Sequence, residues 1–279
     1  MPPPRPGAIG GGTTGAEGNI SPEWLADPAT LAPFIFIGFA AQLVDGALGM
    51  AFGQISSTLL IAWGVRPDRA SAGVHAAETF TTAVSAISHV AHRNVDWRLF
   101  LRLVVPGVIG GAAGAYVLTV NADRAKPFVL AYLAALGLYL FYRGVMHRHT
   151  EKRPRIVEPL GIVGGFLDAA GGGGWGAIVT SNLLVQGSNP RKTIGTVNTA
   201  EFFVTVTISA TFLATLTFFG DGDDRALLVR ATVGLLIGGV IAAPFGALIA
   251  KRVNPDRLLT FVGALVTATS GWGLYRALT

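Results

Sequence analysis

The sequence predicts an all-α polytopic membrane protein made of two homologous halves. Three observations carry this. The chain is 51% hydrophobic and 13% charged, with a mean hydropathy of +0.53; a soluble domain carries about 25% charged residues. Segments 103–121, 127–142, 202–220, 231–250 and 258–275 hold no Asp, Glu, Lys or Arg. Each is about long enough to cross a ~30 Å hydrocarbon core as helix. Finally, residues 45–78 match 168–201 without a gap at an offset of 123. Asp45 pairs with Asp168, Gly49 with Gly172, Gly53 with Gly176 and Glu78 with Glu201. A second register, offset by 133, pairs Asn121 to Arg124 with Asn254 to Arg257 and Tyr142-Arg143 with Tyr275-Arg276.

The apolar segments read as 31–63, 70–91, 99–120, 127–145, 159–185, 193–219, 226–250 and 258–278. Backbone groups in lipid must be satisfied within the segment, so each is helix. Period-2 alternation, the mark of a β-barrel, is absent. Segment 31–63 is 33 residues long. As one helix it would reach roughly 50 Å, too long for one span. Its middle, Gly46 to Gly53, and the matching run Ala169 to Gly176 are rich in glycine. Each glycine costs a helix about 1 kcal/mol relative to alanine. Both segments are therefore expected to be hairpins of half-helices that meet inside the membrane, each followed by three transmembrane helices. The organisation is a disordered tail at 1–30, a first repeat at 31–145, a basic cytoplasmic linker at 146–158 and a second repeat at 159–279. The tail is Pro- and Gly-rich and has no apolar core of a signal peptide.

A hairpin plus three spans makes an odd number of crossings, so the halves would be inverted. With Arg143, Arg148, Lys152, Arg153 and Arg155 inside, inversion also puts Arg191, Lys192, Lys251, Arg252 and Arg257 inside. Asp221, Asp223 and Asp224 then lie outside. The positive-inside rule favours this over parallel repeats. The net charge of +5 belongs to these loops and does not point to nucleic acid.

Ionisable residues within spans are costly and mark function. Four qualify as candidate proton-coupling groups: Asp45, Asp168, Glu78 and Glu201. The two Asp residues stand just before the glycine breaks and could equally cap the helices that follow. His75, Glu78, Thr82, Ser85 and His89 share one helix face, as do Asn198, Glu201, Thr205 and Ser209. Such a stripe faces a cavity or another helix, and Ser and Thr in it often only tie helices together. Half-helix N-termini expose unpaired N–H groups and partial positive charge, so an anion can be held without Lys or Arg. Gly49, Gly53, Gly172, Gly173, Gly174 and Trp175 are the candidate substrate-binding residues at the breaks. His75, Thr79, Asn198 and Thr199 are further contacts. Close packing of helices is the competing role for the glycines. The chain has no cysteine, and His75 with Glu78 has only Asn198 and Glu201 as counterparts. No metal and no cofactor are expected. No Ser-His-Asp or His-Glu-x-x-His arrangement is present, so the chain is not expected to be an enzyme.

The run Leu167 to Ala177, followed by Asn189 to Phe203, resembles the TauE/SafE family of sulfite-exporter-like permeases. The resemblance covers about residues 34–277 in the same two-half layout. The first half departs, with Gly46 to Ser57 in place of a denser glycine run and a following Pro. The resemblance implies a multi-pass carrier in the cytoplasmic (inner) membrane that moves sulfite, an organosulfonate or a related sulfur anion. Residue chemistry adds protons as the coupling ion. The partners expected are that anion, protons and membrane lipid, with no nucleic acid. Small-residue faces such as Gly107-xxx-Gly111 and Gly239-xxx-Ala243 would pack within one chain or in a homodimer. An anion channel and a non-transporting membrane scaffold are the alternatives.

Overall fold

The computed structural model describes residues 28–48, 50–146, 155–186, 190–219, 224–252 and 255–279. Gly49, most of the tail, Arg148, Lys152, Arg153, Asp221 and Asp223 lie outside them. The described residues form helices and no strand. In chain order these are α1 (Pro28–Leu48), α2 (Phe52–Ala62), α3 (Pro67–Ala91), α4 (Trp97–Val120) and α5 (Ala122–Val145). The second half contains α6 (Glu158–Gly171), a π-helical turn (Gly176–Thr180) leading into α7 (Ser181–Val185), then α8 (Pro190–Phe219), α9 (Asp224–Arg252) and α10 (Pro255–Leu278). Within α4, α5 and α8, three stretches are long and apolar enough to cross a membrane: Trp97–Val120, Arg124–Val145 and Lys192–Leu216.

Each break lies within its glycine-rich run, but the first is off-centre. The helix α1 is 21 residues long, about 31 Å, and so exceeds a half-helix. It runs through Gly38 and Gly46 and stops only after Leu48. At Gly38 the missing Cβ lets the backbone of Leu235 on α9 come into contact, and that packing offsets the glycine's helix cost. The shorter α6, of 14 residues, stops at Gly171 because Gly172 turns left-handed at φ 71°.

Packing pairs the halves. The helix α1 lies along α9, with Phe34 on Gly234 and Ile35 on Gly238. Correspondingly α6 lies along α4, with Phe166 on Gly114 and Gly165 on Gly107. Helices α5 and α10 meet through Gly137, Gly144 and Gly263. The Gly107–Gly111 face thus packs within the chain, against Trp175, Val204 and Ile208. The outer surface is apolar: Phe36, Val84, Ile87, Ile109, Leu213 and Val240 are all exposed. Lipid is the solvent that suits such a surface.

One end of the bundle is tied by polar contacts. Lys192 Nζ donates to the Arg93 carbonyl at 2.7 Å, and Arg102 pairs with Glu158 at 2.5 Å. Gln186 Oε1 accepts from the backbone N–H groups of Arg155 at 2.8 Å and Ile156 at 3.1 Å. The start of α6 and the end of α7 therefore lie at the same end, and this segment enters the bundle and returns. The C-terminus of α3 and the N-termini of α4 and α8 share that end. The C-terminus of α2, the start of α5 and the end of α10 meet at the other, where Trp63, Lys126, Trp272 and Arg276 line one cavity.

Helix α4 is started by Asp96, whose carboxylate accepts from Arg98 N at 3.0 Å and Leu99 N at 3.2 Å. Asp96→Ala is expected to cost about 1 kcal/mol of stability. A thermal melt in detergent checks it; an unchanged midpoint would show that Thr196, which accepts from Asp96 N at 2.8 Å, holds the turn alone.

Candidate functional site

The same hydrogen bond closes both breaks. Asp45 Oδ1 accepts from Phe52 N at 3.2 Å and from Ala51 N at 2.8 Å. Asp168 Oδ1 accepts from Trp175 N at 2.9 Å, and Trp175 is the repeat counterpart of Phe52. Each Asp thus ends one helix and caps the next, satisfying N–H groups that would otherwise be orphaned in lipid. Between them Gly172, Gly173 and Gly174 take φ of 71°, 136° and 155°, a region that side chains avoid.

The two breaks meet. A Cβ on Gly53 would lie 2.7 Å from Gly173 Cα, so the two backbones touch. Ser57 Oγ donates to the Gly172 carbonyl, and Ser71 Oγ donates to the Ala169 carbonyl at 2.6 Å. These first-half hydroxyls satisfy carbonyls left unpaired where α6 ends. His75 is fully buried. Its Nδ1 lies 2.8 Å from the Ser71 carbonyl and its Nε2 lies 3.2 Å from Asp168 Oδ2. A carbonyl only accepts, so Nδ1 carries a proton. The Nε2···Oδ2 contact then needs a second proton, held by His75 or by Asp168.

Beside the junction is a cavity of about 260 Å³. It is lined by Asp45, Glu78, Asp168 and Glu201, with Gly53, Gly174, Asn198, Thr82 and Ser85. No Lys, Arg or His is among its described lining residues. Glu78 accepts from the Gly53 backbone N–H and lies within electrostatic range of the other three carboxylates. So the N–H groups of Ala51, Phe52 and Gly53 at one helix start, and of Trp175 at the other, are occupied by the protein's own carboxylates. Among the described residues no group of three His, Asp or Glu side chains stands at metal-binding geometry.

A pair of inward helix starts at a polar cavity within an apolar helical bundle is transporter architecture. The family model for the sulfite exporter TauE/SafE matches residues 34–272. The chain belongs to the TauE/SafE family. It is 41% identical over 245 residues to a Bacillus subtilis (strain 168) protein described as "Probable membrane transporter protein YtnM", covering 85% of this chain and 80% of that protein. No solved structure matches the chain. Family and relative agree on a membrane transporter rather than an enzyme.

In this TauE/SafE transporter the residues singled out from sequence separate into two groups. Asp45, Gly53, Glu78, Asp168, Gly174, Asn198 and Glu201 come together around the cavity. Six others lie behind it. Gly172 and Gly173 form the junction with α2. Trp175 does not wall the cavity: its ring is fully buried, with Nε1 donating to the Val197 carbonyl at 3.2 Å. A Cβ on Gly107 would lie 2.6 Å from the ring, so the glycine of α4 makes the slot the indole fills. Thr79 donates to the His75 carbonyl at 2.9 Å and lies 3.2 Å from Ser209, tying α3 to α8. Thr199 donates to the Gly195 carbonyl within its own helix, at 2.7 Å. His75 reaches the cavity through Asp168.

Sequence reasoning missed Gln42 and Gln54, which also line the cavity and whose Oε1 atoms have no partner among the described residues. Gln42 stands one turn before Asp45 on the same helix face, a spacing that could have found it. Gln54 has Ala177 as its repeat counterpart, so the repeat gave no signal there.

Proposed function

We propose that this TauE/SafE transporter is a secondary carrier that moves a small sulfur-containing anion, sulfite or an organosulfonate, together with protons across the cytoplasmic membrane. The observation that carries it is the occupation of the helix-start N–H groups by carboxylates. An anion can take those donors only when a carboxylate gives them up. Protonating Glu78 neutralises it and weakens its hold on the Gly53 N–H, so that an anion can displace it; protonating Glu201 removes a further repulsion. Proton and anion then enter together, and substrate binding strengthens as pH falls. Asp45 and Asp168 hold the geometry of the two starts, and Asn198 remains a substrate contact at the cavity.

The halves are inferred to be inverted repeats. In support, α6 and α7 begin and end at one end of the bundle, while α2 ends at the other. Rocking one half against the other would expose the central site alternately. A cation carrier is the second reading, favoured by a cavity with four carboxylates and no basic side chain among its described lining residues.

The test is uptake into proteoliposomes loaded and bathed at different pH. Saturable sulfite or sulfonate flux that follows the proton gradient is expected. Flux of a sodium-driven cation with none of sulfite, sulfonate, sulfate or thiosulfate would overturn the anion reading.

A further inference from the structure

A second cavity, of about 420 Å³, lies on the far side of the α6 break. It exists because α6 stops half-way, leaving open the space beyond Gly171. Its walls are the C-terminal turns of α4 (Leu118), the first turns of α5 (Phe128, Val129) and the last turns of α6 (Phe166, Leu167), with Asn121 and Arg124 where α4 turns into α5. The acid-lined cavity extends the other way. On α3 it runs from Glu78 over Thr82 to Ser85, toward the end of the bundle where Lys192 holds Arg93. The two cavities thus point to opposite ends.

Between them, at the end of α6, stands the side chain of Tyr132. Tyr132 of α5 lines the second cavity, and Gly174 lines the first. The Tyr132 ring occupies the space a Cβ on Gly171 would need, and its hydroxyl tip occupies that of a Cβ on Gly174. That hydroxyl is buried and has no partner among the described residues. A buried polar group left unpaired is costly and calls for a role. The other half lacks this device. By the repeat offsets of 133 and 123, the counterparts of Tyr132, Gly171 and Gly174 are Leu265, Leu48 and Ala51. The phenol and the two glycines that admit it occur together, on one side only.

We propose that Tyr132 is the closed gate of the transport path, and that the second cavity is the route beyond it. This rests on the carrier reading above. The acid-lined cavity is the open side, where an ion stays hydrated. The apolar cavity is the shut side, because an apolar constriction excludes water and so bars ions. Withdrawal of the Tyr132 ring from Gly174 joins the two, and the freed hydroxyl then faces the path as a donor to the passing anion.

The chain has no cysteine, so a single introduced thiol reports accessibility cleanly. Ser85→Cys places it in the acid-lined cavity. A membrane-impermeant maleimide is applied to either side of sealed vesicles. With Tyr132 in place, initial labelling is expected to be fast from one side and slow from the second, where it waits for the ring to withdraw. With Tyr132→Ala, or with Tyr132→Leu, the side chain found at its counterpart, the rate from the second side is expected to rise toward that from the first. Second-side rates unchanged in both variants overturn the gate. Equal rates from the two sides with Tyr132 intact, or no labelling from either side, overturn the separation of the cavities. None of these readouts involves substrate, so a failure of sulfite flux would count against the carrier reading and leave this result standing.

Discussion

Replacing Glu201 with glutamine is expected to make anion flux in proteoliposomes indifferent to an imposed pH gradient. Glu201 lines the acid cavity and lies within electrostatic range of Asp45 and Asp168. Glutamine keeps its size and hydrogen bonding but cannot exchange a proton. In the intact protein an anion and an ionised carboxylate compete for the same small cavity, so binding needs the proton first. Apparent affinity then falls as pH rises, by about tenfold per pH unit for each obligatory proton, or ~1.4 kcal/mol. The variant starts neutral at this position. Its flux should persist at higher pH and should no longer be driven uphill by protons. Initial rates across a pH series, with and without a gradient, check this. Glu201→Gln flux that still tracks the gradient would move the coupling role to Glu78, whose replacement by glutamine removes the charge that competes with the anion at the Gly53 N–H.

Gly173→Ala is expected to be among the most damaging single-methyl changes in the chain. The residue sits at φ 136°, where a Cβ costs about 1–3 kcal/mol of backbone strain. That Cβ would also fall 2.5 Å from Gly53 Cα, inside a contact where overpacking costs about another 1–3 kcal/mol. Backbone cannot swing aside as a side chain does, so the two helix starts must separate. A loss of roughly 2–6 kcal/mol follows, enough to remove the folded protein from detergent extracts. Gly64→Ala is the control. It too has a positive φ, 99°, but nothing lies within 4 Å of its Cβ position, so only the strain remains. Size-exclusion profiles and thermal midpoints of the pair separate the two causes. Equal behaviour would mean that the contact between the breaks contributes nothing.

Much of this was legible in one dimension. Charge-free stretches of spanning length mark helices because lipid admits no unpaired backbone, and that constraint is local to each segment. The repeat marked the same Asp, Gly and Glu positions in both halves. Glycine density located the breaks because its helix cost adds residue by residue. The first break falls between Leu48 and Phe52, inside its glycine run, while Gly38, outside that run, stays helical with α9 packed on it. Residue type also suggested two roles for each Asp, cap or coupling group, without choosing. The capping bonds are now visible, yet both carboxylates also line the cavity.

What sequence alone could not decide is which way each side chain points once distant segments meet. Trp175 sits in the most distinctive motif of the chain, yet its ring leaves the site for a slot made by Gly107. Tyr132 lies in an unremarkable apolar helix, yet its hydroxyl ends at the break. The contacts that set the junction, Ser57 to Gly172 and Ser71 to Ala169, join residues 115 and 98 positions apart. The sequence by itself determined the helices, the two halves and the buried carboxylates, because each follows from composition and spacing along the chain. Only the tertiary structure decided that the two breaks touch, that four carboxylates share one cavity and that a phenol abuts Gly174 in its lining. Those outcomes depend on close packing between helices, where one missing Cβ admits a neighbour's backbone and one present excludes it.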